Sequence, residues 1–474
     1  MRELVFRAAF PFGGSGAGAL GFISASITLL GVQARFECVG GVDLDARACA
    51  DFEYLTGTRQ LCADIRSLTP ADVRREYGHR APHCIFLSPP CTGASGLLSS
   101  AKSKTPKYQE MNQLAEVWID LMLAAWAADL PPLVLLENVP RLKSRAPAMI
   151  ARVQKKLRAA GYVVSDGHHD CGELGGLAQR RRRYLLVARL PKKCAPFLYQ
   201  PPARRVRGCG EVLTELPVPG TLAAQEWGRM HELPKLTWRN WTRLALIPAG
   251  GDWRDLEGVL EAGQAKREQF KRHAVEEWEQ PVGTIGGSGS NGVANVADPR
   301  VTYAYDAGYG VLNWQAPART IASKSAVGCG AYAVSDVRVG CTPRAGAYGV
   351  LRWADPSKTI TGSLNIDNAF GAVADPRKPP PFPPVIIADD RTWHRPLTTL
   401  ELAALQGFPL RVHGKPLLLS DFTHTSARTR IGNAVPPPAA RAIAEKMLVT
   451  LTESALGAFS LSSDAVWVEP HAMA

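Results

Sequence analysis

The chain has 474 residues, 46% of them hydrophobic and 21% charged, with 55 Lys and Arg against 43 Asp and Glu for a formal net charge of +12. This composition excludes a disordered or collagen-like chain, the length exceeds one ordinary core, and the positive balance favours a polyanionic partner. The ten cysteines are scattered without a CxxC pair, which excludes a zinc ribbon or a secreted disulfide framework and fits a reducing compartment.

In chain order, "ELVFRAAF" predicts a strand and "GGSGAGALGF" a turn into a helix. Because the glycine-rich loop follows almost at once, no signal peptide is expected. The apolar stretch from Ala19 to Val32 is too short and too polar to span a bilayer and reads as a buried helix. "FECVGGVD" predicts the next strand, closed by Asp43, and "HCIFLS", "LVLLEN" and "RYLLVARL" predict further buried strands. "QLAEVWIDLMLAAWAADL" and "APAMIARVQKKLRAAG" carry helical periodicity between them. The alternation predicts a doubly wound α/β sheet.

After Leu190 proline, glycine and tryptophan rise and a repeat appears: "WEQPVGTI" from Trp278, "WQAPARTI" from Trp314, "WADPSKTI" from Trp353 and a looser "WHRPLTTL" from Trp393. Short apolar runs between glycines predict β-rich units, each expected to be a β-hairpin-like module with Trp and Pro in a small core. "DPRKPPPFPP" reads as a stiff linker. "LTTLELAALQGFP" predicts a helix with a capping box from Thr398 to Glu401 and a stop at Gly407, and "GNAVPPPAARAIAEKMLVTL" a helix starting at prolines.

Several stretches carry chemistry. "FPFGGSGAG" lets a ligand approach backbone N–H groups between a strand and a helix. Asp43 lies where a ribose-binding acid is expected, and Asp64 could accept from an adenine amino group; both also read as solvated loop carboxylates. Cys91, in "IFLSPPCTGAS", sits at the carboxyl end of a strand, the position of a nucleophile, or is a packed thiol. Glu137 follows the apolar run Leu133 to Leu136, so desolvation should raise its pKa and suit it to share a proton with a ring nitrogen, or it is an N-cap or salt-bridge carboxylate. In "QRRRRYLLVA", Arg181 and Arg183 alternate and should share a face, suited to a polar substrate.

The ordered set F-x-G-x-G, PPC, ENV, QxRxR and GNAVPPP resembles the cytosine carbon-5 DNA methyltransferase family. The resemblance covers about the first 190 residues and the last 60 or so before the tail. It implies a Rossmann-like class I methyltransferase sheet with a second, β-rich target-recognition domain. The corresponding boundaries are 1–190 for catalysis and cofactor binding, 191–394 for recognition, with repeats that read either as modules whose variable loops face DNA or as a structural spacer without DNA contact, 395–454 for the late motifs, and 455–474 for a tail.

The activity implied is transfer of a methyl group from S-adenosylmethionine, with S-adenosylhomocysteine as product, to carbon 5 of a cytosine flipped out of double-stranded DNA. By similarity Cys91 attacks carbon 6, Glu137 binds the amino and ring-nitrogen edge, Arg183 contacts the base carbonyl, and Arg181 beside it supports the nucleophile and the pocket. Phe12, Gly14, Ser15, Gly16, Ala17, Asp43, Leu44, Asp64, Ile65 and Pro90 match cofactor positions, as does Leu114, with Asn433 and Val435 completing that pocket. Ser95, Lys102, Lys104 and Lys107 belong to a loop expected to close over DNA and touch its phosphates. Thr92 replaces the family's usual glutamine, and Ala17 the last glycine of its first motif. No metal, no membrane, a monomer and a cytoplasmic, bacterial or phage-encoded setting are expected. An RNA cytosine methyltransferase and a non-catalytic DNA-binding relative are the alternatives; a nicotinamide oxidoreductase would leave PPC, ENV and QRRRR unexplained.

Overall fold

A computed structural model of the chain describes residues 2–90, 106–196, 198–233, 246, 349–360, 372–377 and 393–457, together with the short strands between 275 and 334 named below. The chain divides into two compact units, residues 1–251 with 348–474, and residues 252–347.

The first unit is built on strands β1 (Arg2–Pro11), β2 (Ser26–Leu29), β3 (Val32–Asp43), β4 (Gln60–Cys62), β5 (Cys84–Leu87), β6 (Leu133–Asn138), β7 (Val163–Asp170) and β8 (Arg182–Arg189). They form one sheet in the order β2-β3-β1-β5-β6-β8-β7, with β4 beside the carboxyl end of β3. The pairs from β3 through β1 and β5 to β6 are parallel, whereas β8 runs antiparallel to both β6 and β7. Chain order reverses between β1, which pairs back to β3, and β5, which leads on to β6. In open α/β sheets the crevice outside the carboxyl ends at such a switch point receives ligands.

Helices α1 (Ala17–Ile23), α2 (Ala46–Thr56), α3 (Pro70–Tyr77), α4 (Pro106–Ala125), α5 (Pro147–Ala159), α6 (Thr399–Leu405), α7 (His424–Asn433) and α8 (Pro437–Leu456) surround the sheet. The two faces alternate by residue, as the pleat requires. Phe86 and Leu135 pack with Phe22 of α1 and Ile443 and Met447 of α8. Ile85, Leu87, Val134 and Leu136 face the other way, onto Trp118 and Met122 of α4 and Val153 and Leu157 of α5. Burial on both faces is why β5 and β6 read as unbroken apolar runs.

The C-terminal helix thus completes the first core. Gly21 makes its close approach possible, since a Cβ there would lie 2.4 Å from the Pro437 carbonyl oxygen and 2.6 Å from Ala440 Cβ. Gly21→Ala is therefore expected to destabilise the fold by about 1–3 kcal/mol through overpacking, measured as a lower midpoint in urea.

Two expectations change. The stretch from Ala19 to Val32 is not one helix: α1 stops at Ile23 and Ser26–Leu29 forms β2, antiparallel to β3 across a turn at Gly31 with φ 75°. The β-branched pair Ile27 and Thr28 suits the edge strand better than a helix end. The repeats are not hairpins either. Strands β9 (Val275–Glu277) and β10 (Asn295–Ala297), β11 (Val311–Leu312) and β12 (Ala333–Val334), and β13 (Val350–Leu351) and β14 (Ala372–Asp375) pair parallel. A parallel pair needs a long crossover rather than a tight turn. Strand β15 (Trp393–Pro396) then adds antiparallel to β14. The capping box from Thr398 to Glu401 is present at α6. Among the described residues no helix is long and apolar enough to cross a membrane.

Candidate active site

At the switch point the carboxyl ends of β1, β3, β5 and β6 open into a cavity of about 250 Å³. One wall is the turn after β1. Phe12 N donates to the Val42 carbonyl at 2.7 Å, and Gly16 N closes onto the Gly13 carbonyl at 3.0 Å. Phe12 takes φ 55°, uncommon for a non-glycine residue, and Gly14 and Gly16 take φ 54° and 83°. Gly16 lies behind the lining rather than in it; a Cβ there would stand 2.9 Å from Phe52 Cα. Phe12, Gly14, Ser15 and Ala17 line the cavity. Ser15 Oγ is buried and makes no hydrogen bond among the described residues.

Asp43, at the end of β3, also lines the cavity and accepts from Gly14 N and Asp45 N, each at 3.0 Å. Burial pushes its carboxyl above the usual aspartate range, against these N–H groups. Its neighbour Leu44 is 67% exposed and outside the lining. Asp64 does not reach the cavity: it caps a short turn, its carboxylate is gripped by Arg66 at 2.6 Å, and that hydrogen bonding lowers its pKa. Ile65 is buried in the core behind, and Leu114 of α4 packs against the same core half-buried.

The opposite wall carries Glu137, Arg181 and Arg183. Glu137 and Arg183, on neighbouring antiparallel strands, approach to 3.1 Å between Oε1 and Nε. The contact is ionic but poorly aimed, because Glu137 Oε1 accepts no hydrogen bond among the described residues. Burial raises the Glu137 pKa, opposed by the guanidinium groups of Arg183 and Arg181. The sequence-based reading of a desolvated carboxylate therefore agrees with the structure. Arg181 is buried and acts as a strut: Nη1 donates to the Ile360 carbonyl at 2.9 Å, and Nη2 to those of Gly432 and Ala434 at 2.9 and 2.8 Å. Those carbonyls flank Asn433 and precede Val435, which close the cavity from the C-terminal segment.

Pro90 also lines the cavity. Cys91, Ser95, Lys102 and Lys104 lie outside the described residues; Lys107 begins α4, but its side chain is likewise outside them. Asn138 anchors the segment leading to Cys91, its Nδ2 donating to the Pro89 carbonyl at 3.0 Å.

Residue-by-residue reading missed Arg430, which lines the cavity and is fixed by a buried ion pair with Asp51 of α2 at 2.6 Å. Its only local signal was one of two arginines in "SARTRIGN". Asp45 was missed as well, although it stands two residues after Asp43 and lines the same cavity. Among the described residues no cluster of three or more His, Cys, Asp or Glu could hold a metal ion.

A sequence model of the family described as C-5 cytosine-specific DNA methylase matches residues 11–207 and 348–449. No curated protein matches the chain. Among solved structures it is similar to the methyltransferase EhMeth of Entamoeba histolytica, at 14% identity over 94% of this chain and 98% of that one, with a TM-score of 0.50. It is also similar to the S. pombe Dnmt2 methyltransferase, at 14% identity over 96% of this chain and 99% of that one, with a TM-score of 0.46. The matched fold is the mixed α/β arrangement of a mostly parallel central sheet with small additional sheets.

Proposed function

The chain belongs to the C-5 cytosine-specific DNA methylase family, and from that premise we propose that it methylates carbon 5 of a cytosine flipped out of a specific double-stranded DNA sequence, through a covalent adduct on Cys91. The observation that carries this reading is the sharing of one cavity by the glycine turn with Asp43 and by the Glu137–Arg183 pair.

The glycine-turn side fits S-adenosylmethionine. The unpartnered, buried Ser15 hydroxyl can bond a polar ligand group, and Asp43 presents a carboxylate held by two N–H groups beside it. When bound there, S-adenosylmethionine supplies an electrophilic methyl group. Asp43, Asn433 and Val435 hold it from two sides; Leu44, with its apolar side chain exposed beside Asp43, offers a surface for a base.

The protein's own groups act on the cytosine. Cys91 directly follows Pro90, which lines the cavity, and Asn138 anchors the preceding Pro89. The thiolate adds to carbon 6, and the electron pair displaced onto carbon 5 takes the methyl group. Glu137 binds the amino and ring-nitrogen edge and shares a proton with the ring nitrogen as charge builds. Arg183, held beside Glu137, bonds the base carbonyl. Loss of the proton from carbon 5 and elimination of the thiolate restore the ring. Ser95, Lys102, Lys104 and Lys107 contact the DNA backbone, in line with the net charge of +12.

Duplex DNA in which 5-fluorocytosine replaces cytosine tests this reading, because a fluorine on carbon 5 cannot leave as a proton. With S-adenosylmethionine present, a covalent complex stable to denaturant is expected, and mass spectrometry should locate the adduct on Cys91. Absence of a complex on a library of DNA sites, or trapping only on RNA of the same sequences, rejects it.

A further inference from the structure

The W-x-x-P-x-x-T repeats have no part in the chemistry, yet the third copy, from Trp353, lies against the segment that carries Arg181. Its backbone forms a ribbon there. Gly210 N donates to the Trp353 carbonyl at 2.5 Å, Cys209 N to that of Asp355 at 2.6 Å, and Ser357 N to that of Ala178 at 2.6 Å. Arg180 N donates back to the Ser357 carbonyl at 2.8 Å. The slot is cut close: a Cβ on Gly208 would lie 2.1 Å from the Ala354 carbonyl oxygen, and one on Gly210 2.1 Å from Trp353 Nε1. Backbone contacts of this kind place few demands on the side chains of the ribbon.

The side-chain demands are concentrated in Trp353, Asp375 and Arg377. Arg377 lies over the Trp353 ring at 4.9 Å and pairs with Asp375 at 2.9 Å. Asp375 also takes Nε of the fully buried Arg395 at 2.9 Å, while Glu401 of α6 binds the same guanidinium at 2.7 Å. Asp375 is thus the link between the copy and the late family motif.

Thirty-nine positions upstream, Trp314, Asp336 and Arg338 stand in the corresponding places. The strands of that copy pair in the same register, Val311 with Ala333 against Val350 with Ala372. Between the shared Thr-Ile and the second strand, however, the inserts differ at every position: "ASKSAVGCGAY" at 322–332 and "TGSLNIDNAFG" at 361–371. Constant framework with wholly different inserts of equal length is the pattern of an interchangeable module.

We infer that the slot beside Arg181 is a seat for either copy, and that the insert of the seated copy is a specificity-determining segment for the reaction. The second half rests on the proposed activity; the first does not.

Excising residues 348–386, one repeat period, joins Ala347 to Ile387 and leaves the copy from Tyr309 to Arg338 at the same chain distance from β15. This variant is expected to melt cooperatively within about 5 °C of the full chain and to methylate a different DNA sequence, read by bisulfite sequencing of DNA from expressing cells. In the full chain Asp375→Asn should lower Tm by about 10 °C, because it leaves the buried Arg395 short of a partner, while Asp336→Asn should be silent. In the excised variant Asp336→Asn should cost the same ~10 °C. Failure of the excised variant to fold, or a silent Asp336→Asn within it, overturns the shared seat. An unchanged methylated sequence overturns the role of the insert. If the full chain methylates no DNA, the proposed activity falls, and the melting comparison still decides the seat.

Discussion

Glu137→Gln is expected to slow methyl transfer by about 10²–10⁴-fold while leaving S-adenosylmethionine affinity nearly unchanged. Glutamine keeps the shape and can still bond the amino edge of a cytosine, but it has no proton to share with the ring nitrogen. The environment of Glu137 favours its protonated form. Burial at the end of β6 raises its pKa, and the nearby Arg183 and Arg181 only partly oppose the shift. A larger fraction is therefore protonated near neutrality than for a free glutamate, and the wild-type rate should fall as pH rises through the raised pKa. In Glu137→Gln that limb should vanish.

The same shift has a stability consequence of opposite sense. A carboxyl whose folded pKa is raised ionises more readily in the unfolded chain, so folding is penalised once pH exceeds about 4.3, the ordinary glutamate value. Removing the ionisable group lifts that penalty, and Tm of Glu137→Gln near pH 8 should be no lower than wild type. Initial rates and melting curves across pH check both statements. An unchanged pH profile in the variant would show that Glu137 holds no proton used in the reaction.

Arg181→Ala is expected to lower stability by about 3–5 kcal/mol and to weaken S-adenosylmethionine binding at the same time. The substitution leaves the carbonyls of Ile360, Gly432 and Ala434 without their charged donor, and each charge-assisted bond of this kind contributes about 1.5–3 kcal/mol. Two of those carbonyls hold the segment that brings Asn433 and Val435 to the cavity, which is why affinity should fall with stability. Arg181→Lys should rescue little, because an ammonium cannot span three acceptors in a plane. Urea denaturation and cofactor titration of the two variants measure this; rescue of both by lysine would show that charge alone is required. By these contacts Arg181 is a positioning residue, whereas Arg183 lines the cavity paired to Glu137.

Much of the sheet could be read from the chain. Strands β5 and β6 stand out because burial on both faces makes them unbroken apolar runs, and Arg181 and Arg183 share the cavity as alternation on an extended segment requires. Strand β2 was hidden because its four residues continue the apolar run of α1. The repeats were visible as a period, but their parallel pairing was not, since the hydrophobic pattern of a two-residue strand is the same in either direction. Asp64 shows the limit at the site: its place in the chain suits a cofactor contact, yet the adjacent Arg66 takes its carboxylate, a local competition that motif spacing does not register.

What the sequence by itself determined is the chemistry on offer: a glycine turn after a strand, a cysteine and a glutamate at strand ends, paired arginines, and a repeated framework with changing inserts. These are local properties, set by residue type and by spacings of two to a few residues, and they survive without knowledge of the fold. Only the tertiary structure decided which groups share a cavity and which serve as struts. Arg430 meets Asp51, Arg181 meets Gly432, and Asp375 meets Arg395 across long stretches of chain. A buried charge must find its partner wherever the folded backbone places one, and no local pattern records where that is.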